Sequence, residues 1–263
     1  MSTNGFGNIS IMTRSMAWLI VCFLVLPITI VFAVSVTDKH YLSLPEQGIS
    51  FQYYEKLFTS GPWMTSILQS FVIACASTVA AVLLGTLCAI GCWRLGNRAS
   101  DFVRMLMLVP IMVPTIVYAL GIYQFWIDLR LLDSYTGLII AHIVTGLPYV
   151  VITVSTALAG FDPRLEQASL SLGASIGQTL RLVIIPNIKP GVISGAIFAF
   201  IHSWDELVLA LFIAGRAVFT LPRRMWDGIN ESLDPTMAAV AAVLIAITVS
   251  LLCTDAYTRS RRA

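Results

Sequence analysis

Charge is what this sequence has least of. Only 11% of its 263 residues are Asp, Glu, Lys or Arg, against about 25% in a soluble globular domain, so too little polar surface is available to wrap a water-soluble fold. The net charge is +2, with basic residues scattered rather than clustered, which excludes the electrostatic footprint of a nucleic-acid binder. There is no G-x-x-x-x-G-K-[ST] phosphate loop, so the chain does not bind ATP through that motif. No Cys-x-x-Cys pair occurs, and Cys22, Cys75, Cys88, Cys92 and Cys253 all fall in apolar segments. Neither a zinc site nor a disulfide framework is indicated; the cysteines read as small apolar fillers. Internal repeats and low-complexity tracts are missing too. Finally, the first apolar run ends in Val34-Ser35-Val36-Thr37 without a clean small-x-small cleavage site, so it reads as a retained span rather than a removed signal.

What is present is apolar sequence in long runs. The chain is 57% hydrophobic with a mean hydropathy of +0.85, the composition of an integral membrane protein. A spanning helix needs about 20 mainly apolar residues. Six segments qualify, at about 16–37, 67–93, 102–126, 135–158, 191–213 and 237–256, giving an all-α membrane protein of one transmembrane domain. Ser60-Gly61-Pro62, Gly96-Asn97 and Asp133-Ser134 mark breaks between spans. One set of alternate loops holds Arg14, Arg94, Arg98, Arg104, Arg164, Arg181, Lys189, Arg259, Arg261 and Arg262; the other holds Lys39, Lys56, Arg130, Arg216, Arg223 and Arg224. The positive-inside bias then places both termini and loop 160–190 in the cytoplasm. Segments 38–66 and 214–236 face outward. Ile49 to Phe58 mixes aromatic and polar residues, as either an interfacial helix or an aromatic belt that fixes span depth would.

The long polar interruption of the second half, Gly160 to Pro190, carries its own structural signals. Asp162-Pro163 is a helix start, because aspartate accepts from first-turn amides and proline suits the first helical position. That helix should run to about Leu172, with Gly173 available for a left-handed ending. Ser175 and Gln178 have capping-box spacing and should open a second helix, which Pro186 should stop. Leu165, Ala168 or Ser169, and Leu172 would form a modest apolar face for a partner.

Within this loop, Glu166, Ala168 and Gly173 are followed ten residues after the glycine by Val183-Ile184-Ile185-Pro186. The spacing resembles the EAA loop of ABC-importer membrane subunits, with Gln167, Val183 and Ile185 as departures from the pattern. Four further stretches, Tyr53 to Phe58, Leu68 to Phe71, Leu108 to Pro114 and Ser203 to Val208, look like the spermidine/putrescine-type branch of these permeases. The resemblance covers most of residues 50–256. It implies six transmembrane helices in a type I ABC-importer permease architecture, with a cytoplasmic coupling-helix loop that docks into an ATPase subunit. Glu166, Ala168, Gly173 and Pro186 would be its ATPase-coupling residues. Also implied are a second homologous permease, two ABC ATPase subunits that carry ATP and Mg, and a periplasmic solute-binding protein. This chain would be a non-enzymatic subunit of the bacterial inner membrane, with no cofactor of its own. Its cargo would be a small organic solute, such as a polyamine or another amine-bearing compound.

Polar residues inside the apolar segments complete the reading. Pro110 and Pro114 fit either a bent pore helix or a packing kink. Asp205 and Glu206 are expensive at bilayer depth, about 2.5–3.5 kcal/mol for a carboxylate on insertion scales, so they should face water or a partner. His202, one turn before Glu206, and Arg216 are candidate partners; His142 reads as a packing residue. Asp205, Glu206, Trp204, Tyr118 and Tyr123 are the candidate pathway residues. An ion-driven secondary transporter using the acid pair, or a membrane scaffold displaying the polar loop, are the competing functions; the first would be expected to show repeats and paired broken helices.

Overall fold

The computed structural model describes residues 4–46 and 48–260; Arg261 and Arg262, counted above with the cytoplasmic cations, lie outside them. The described chain is helical: α1 (Asn4–Ser35), α2 (Gln52–Thr59), α3 (Gly61–Leu95), α4 (Arg98–Met112), α5 (Thr115–Asp128), α6 (Tyr135–Ala159), α7 (Pro163–Ser171), α8 (Ile176–Thr179), α9 (Ile185–Asp205), α10 (Val208–Ile213), α11 (Leu221–Asp227) and α12 (Thr236–Ser260). A π-helical turn, Leu180–Ile184, joins α8 to α9, and a second one, Gly228–Ser232, follows α11. Among the described residues five helices are long and apolar enough to cross a membrane, and the bent pair α4 and α5 would make a sixth. Contacts divide the chain into two units, one of residues up to 64 and from 225 onward, the other of residues 65–224.

In the first unit α1 and α2 pack on α12. Trp18 and Phe23 on α1 are 64% and 74% exposed, surface that only an apolar environment covers comfortably. Short α2 buries Tyr53 and Leu57. It is fastened by the Tyr53 hydroxyl donating to the Lys39 carbonyl, by Ser35 Oγ and Tyr54 at 2.7 Å, and by an ion pair of Lys56 with Asp234 at 2.8 Å.

The second unit is built around α6 and α9. Gly191, Gly195, Ala199 and Ser203 repeat every four residues on one face of α9, and small residues let helix backbones approach closely. The approach here leaves no room: a Cβ at Gly191 would lie 2.6 Å from the Ala157 methyl, and one at Gly195 would lie 2.6 Å from Thr153 Oγ1. At the end of the stripe, Ser203 Oγ meets His142 Nδ1 at 2.7 Å and accepts from Ser77 Oγ at 3.0 Å. This buried bond gives His142 the packing role expected of it.

Of the expectations about proline, the bend in the third segment is found and the stop at Pro186 needs revision. The third apolar segment is two helices bent by 103°. The break falls at Pro114, which pushes Val113 to extended angles (φ −83°, ψ 126°) as proline does to the residue before it; Pro110 sits inside α4 without ending it. Pro186 does not stop a helix either. It occupies the first turn of α9, where a missing N–H costs least, and the π-helical turn before it carries the chain over from α8 without a break. Residues 176–205 therefore run on continuously.

Candidate functional site

Loop 160–190 forms the two short helices that its caps specify. The Asp162 carboxylate accepts from the Arg164 amide at 2.9 Å, with Pro163 as the first helical residue of α7. Gly173 ends α7 at φ +85°. Its amide donates to Leu170 C=O at 3.0 Å, and that of Ala174 donates to Ser169 C=O at 3.2 Å, the paired bonds of a Schellman ending. Ser175 and Gln178 cap α8 reciprocally at 2.8 and 3.3 Å, while Ser169 and Thr179 hydroxyls join the two helices at 2.9 Å. Leu165, Leu172, Ile176 and Leu182 stand exposed. Ala168 is exposed with them.

Glu166 is turned inward. Its carboxylate pairs with Arg94 at the end of α3 at 2.7 Å, and the side chain is only 15% exposed. Trp93 packs edge-on against Phe161 beside it at 5.6 Å. The loop is thus braced to α3 by one ion pair and one ring contact. Sequence reasoning did not anticipate Arg94 as the partner of Glu166, because 72 residues separate them.

At the other end of α9, the fifth apolar segment breaks where the acids stand. Asp205 is the last residue of α9, Glu206 is extended (φ −72°, ψ 108°), and α10 begins two residues later. Buried Glu206 bends back, and its Oε1 accepts from the Val208 and Leu209 amides at 2.9 and 3.2 Å, so it caps α10 rather than bonding His202 or Arg216. Asp205 is exposed. Both acids, with Tyr149, Phe198, Ile201 and His202, line an open cleft of about 280 Å³. The Tyr149 and His202 rings are 5.1 Å apart, and His202 Nε2 is buried without a hydrogen bond among the described residues. Trp204 stacks instead on Phe200 at 5.9 Å. Tyr118 packs in the core near Ala141 C=O, and Tyr123 is two-fifths exposed. None of these last three lines the cleft. Tyr149 does, and nothing in its local sequence singled it out.

Beyond α10 lies a strap, residues 214–221, in which side chains take the amides of residues 215–219 and 221. One carboxylate, Asp133, accepts from Gly215 at 2.6 Å, Arg216 at 2.9 Å, Ala217 at 3.0 and 3.1 Å, and Val218 at 3.2 Å. Gln69 takes the Phe219 amide at 2.7 Å and returns a bond to Ala217 C=O, and Ser70 takes Leu221 at 2.7 Å. Partial burial pushes the Asp133 carboxyl up, but the bonds from Ala217, Val218, Arg216 and Gly215 outweigh it and hold the group below its ordinary value. Arg223 closes the strap by donating to Ala210 and Ala214 C=O at 3.1 and 2.6 Å, and both Arg223 and Arg224 lie over the Phe219 ring.

Residues 81–260 match the family described as the binding-protein-dependent transport system inner membrane component. The chain belongs to that family. Among similar proteins, the spermidine/putrescine transport system permease protein PotC of Haemophilus influenzae is 29% identical over 235 residues, covering 89% of this chain and 91% of PotC. The trehalose transport system permease protein SugB of Mycobacterium tuberculosis is 30% identical over 241 residues, covering 89% and 87%. A solved bacterial ABC transporter involved in import of the acidic polysaccharide alginate has a chain that superposes with a TM-score of 0.73 over 98% of both chains, at 14% identity. The permease therefore has the type I ABC-importer fold.

Proposed function

We propose that this permease is the membrane-spanning subunit of an ATP-driven importer for a small amine-bearing solute of the polyamine kind. The observation that carries the solute class is the cleft at the break between α9 and α10. Identity alone does not choose, since spermidine/putrescine and trehalose permeases match about equally well. What favours the amine is Asp205, which lines the cleft with Tyr149 and has no hydrogen bond or ion pair among the described residues. A carboxylate beside an aromatic ring suits an ammonium group, through charge and through the ring quadrupole; a neutral sugar would gain only hydroxyl hydrogen bonds and ring contact there, with no charge to attract it. Glu206 supports that turn.

The loop 160–190 is the ATPase contact in this reading. Its exposed leucines and Ile176 would enter the ATPase cleft; Gly173 sets the angle of the two helices. Glu166 passes the movement to α3 through Arg94, and the π-helical turn passes it to α9, whose first turn holds Pro186. The remaining parts are a second homologous permease, two ABC ATPases that bind ATP and Mg, and a periplasmic binding protein that delivers the solute. Both termini and loop 160–190 are cytoplasmic. The basic residues that count against this orientation, Arg223 and Arg224, are committed to carbonyls, a hydroxyl and the Phe219 ring.

The test is uptake of radiolabelled spermidine and putrescine by cells expressing the permease with the genes adjoining its own, together with co-purification. Expected are uptake that follows cellular ATP, suppression by excess unlabelled amine but not by trehalose, and an ABC ATPase in the purified complex. Uptake abolished by a proton uncoupler at constant ATP, or suppression by trehalose alone, would refute the mechanism or the solute class respectively.

A further inference from the structure

The acidic turn and the strap stand at the two ends of α10. Helix α10 is six residues long, about 9 Å at 1.5 Å per residue. Glu206 fixes its first turn through the Val208 and Leu209 amides. At its last turn Arg223 holds the Ala210 and Ala214 carbonyls, and the Asp133 amide donates to Ile213 C=O at 2.9 Å. Leu209, Ala210 and Ile213 are completely or almost completely buried. Such a helix has no soft joint in which to absorb a displacement.

What fixes the far end is the Asp133 carboxylate. It takes four consecutive amides, and Gly215 is there because a Cβ would stand 2.8 Å from that carboxyl group. Asp133 is itself at φ +52°, a left-handed conformation that an aspartate adopts only at some cost. A polar group concentrated in this way on one segment specifies where the segment lies, beyond stabilising it.

We propose that Asp133 is a positioning residue for the cleft: by gripping the strap that ends α10, it sets where the Asp205 carboxylate stands. The proposal rests on the reading of Asp205 as solute-facing, and it assigns Asp133 no contact with solute. A carboxylate-to-amide change at Asp133 turns one acceptor oxygen into a donor facing N–H groups, so the strap must shift and α10 shifts with it.

The test uses the whole transporter in a cysteine-free background. Asp205→Cys reports the position of the turn through its rate of reaction with 2-aminoethyl methanethiosulfonate. Adding Asp133→Asn should change that rate at least fivefold, with assembled complex at the parental amount and with Leu172→Cys, on the remote loop, labelled as before. With Asp205 intact, Asp133→Asn should raise the KM for spermidine uptake at least threefold and leave Vmax within twofold. Gly215→Ala, which keeps the carboxylate and displaces it, should act in the same way. An unchanged labelling rate at position 205 in both variants overturns the proposal; so does loss of assembled complex in both, which would make the grip a folding requirement only. If Asp205→Asn leaves spermidine uptake normal, the solute-facing reading fails, while the labelling rates still decide whether Asp133 positions the turn.

Discussion

Substitution of Gly173 separates a backbone requirement from a steric one. The glycine sits at φ +85°, and a Cβ built there meets nothing within 4 Å. Any penalty on adding a side chain therefore comes from the left-handed conformation alone, about 1–2 kcal/mol for an ordinary L-residue and more for a β-branched one. Asparagine tolerates the region best among non-glycine residues. Gly173→Asn should thus be mild, Gly173→Ala intermediate and Gly173→Val worst. Steric crowding would give a different order, because asparagine and valine are both larger than alanine. A cost of 1–2 kcal/mol lowers the ratio of correctly to incorrectly joined helices about 5–30-fold. The Schellman bonds of Gly173 and Ala174 would loosen, and the exposed Leu172 and Ile176 would lose their fixed relation. The assay is spermidine uptake and solute-stimulated ATPase activity, measured beside the amount of permease inserted in the membrane. Insertion should stay constant while both activities fall in the order Asn, Ala, Val. Wild-type activity in the valine variant, or an order that follows side-chain volume, would refute the reasoning.

Other outcomes follow from the same geometry. Asp205→Asn should lower spermidine uptake at least tenfold with normal complex yield. Glu206→Gln should lower yield or thermal stability by about 1–2 kcal/mol, the usual effect of weakening an N-terminal cap; equal behaviour of the two variants would contradict the division of roles. Glu166→Gln should weaken ATPase stimulation, and the exchange Arg94→Glu with Glu166→Arg should restore part of it; no recovery would show that the pair does not link α7 to α3. Because its bound amides hold the Asp133 carboxyl below 3.8 in the folded chain, its contribution to stability is present above the ordinary carboxyl value and lost as pH falls through the lowered one. Melting temperature measured from pH 7 down to pH 3 should fall at the acid end, and less steeply for Asp133→Asn. With single cysteines in a cysteine-free background, an impermeant reagent outside the cell should label position 230 but not 98 or 178; the reverse pattern would invert the orientation.

Features with local causes were legible in the sequence. Asp162, Pro163, Gly173, Ser175 and Gln178 each act within four residues of themselves; α7 begins and ends, and α8 begins, where those residues dictate. The break at Pro114 was equally local. The strap was not legible, because Gln69, Ser70 and Asp133 find their amides 82–151 residues away, and only the fold brings them there. Asp133 looked like turn chemistry and is that as well, with φ +52°. Pro186 misled because a π-helical turn has no sequence signature of its own, and proline is harmless in the first turn of whatever follows. The acid pair was legible as a costly burial, but which of the two would be taken up by backbone amides depended on the break in the helix after Asp205.

The close contact of α9 with α6 makes a lever of the longest feature of the loop-to-cleft connection. With glycines pressed against Thr153 and Ala157, sliding of one helix along the other drives side chains into backbone, so tilting of the pair together is the motion that keeps this contact. The 21 residues of α9 span about 31 Å, with the polar loop at one end and Asp205 at the other. A tilt of only about 5° over that length carries the far tip roughly 2.7 Å, the size of a hydrogen bond. Small strokes at the water-exposed end are therefore enough to make or abolish a contact at the other, with no change of shape in between.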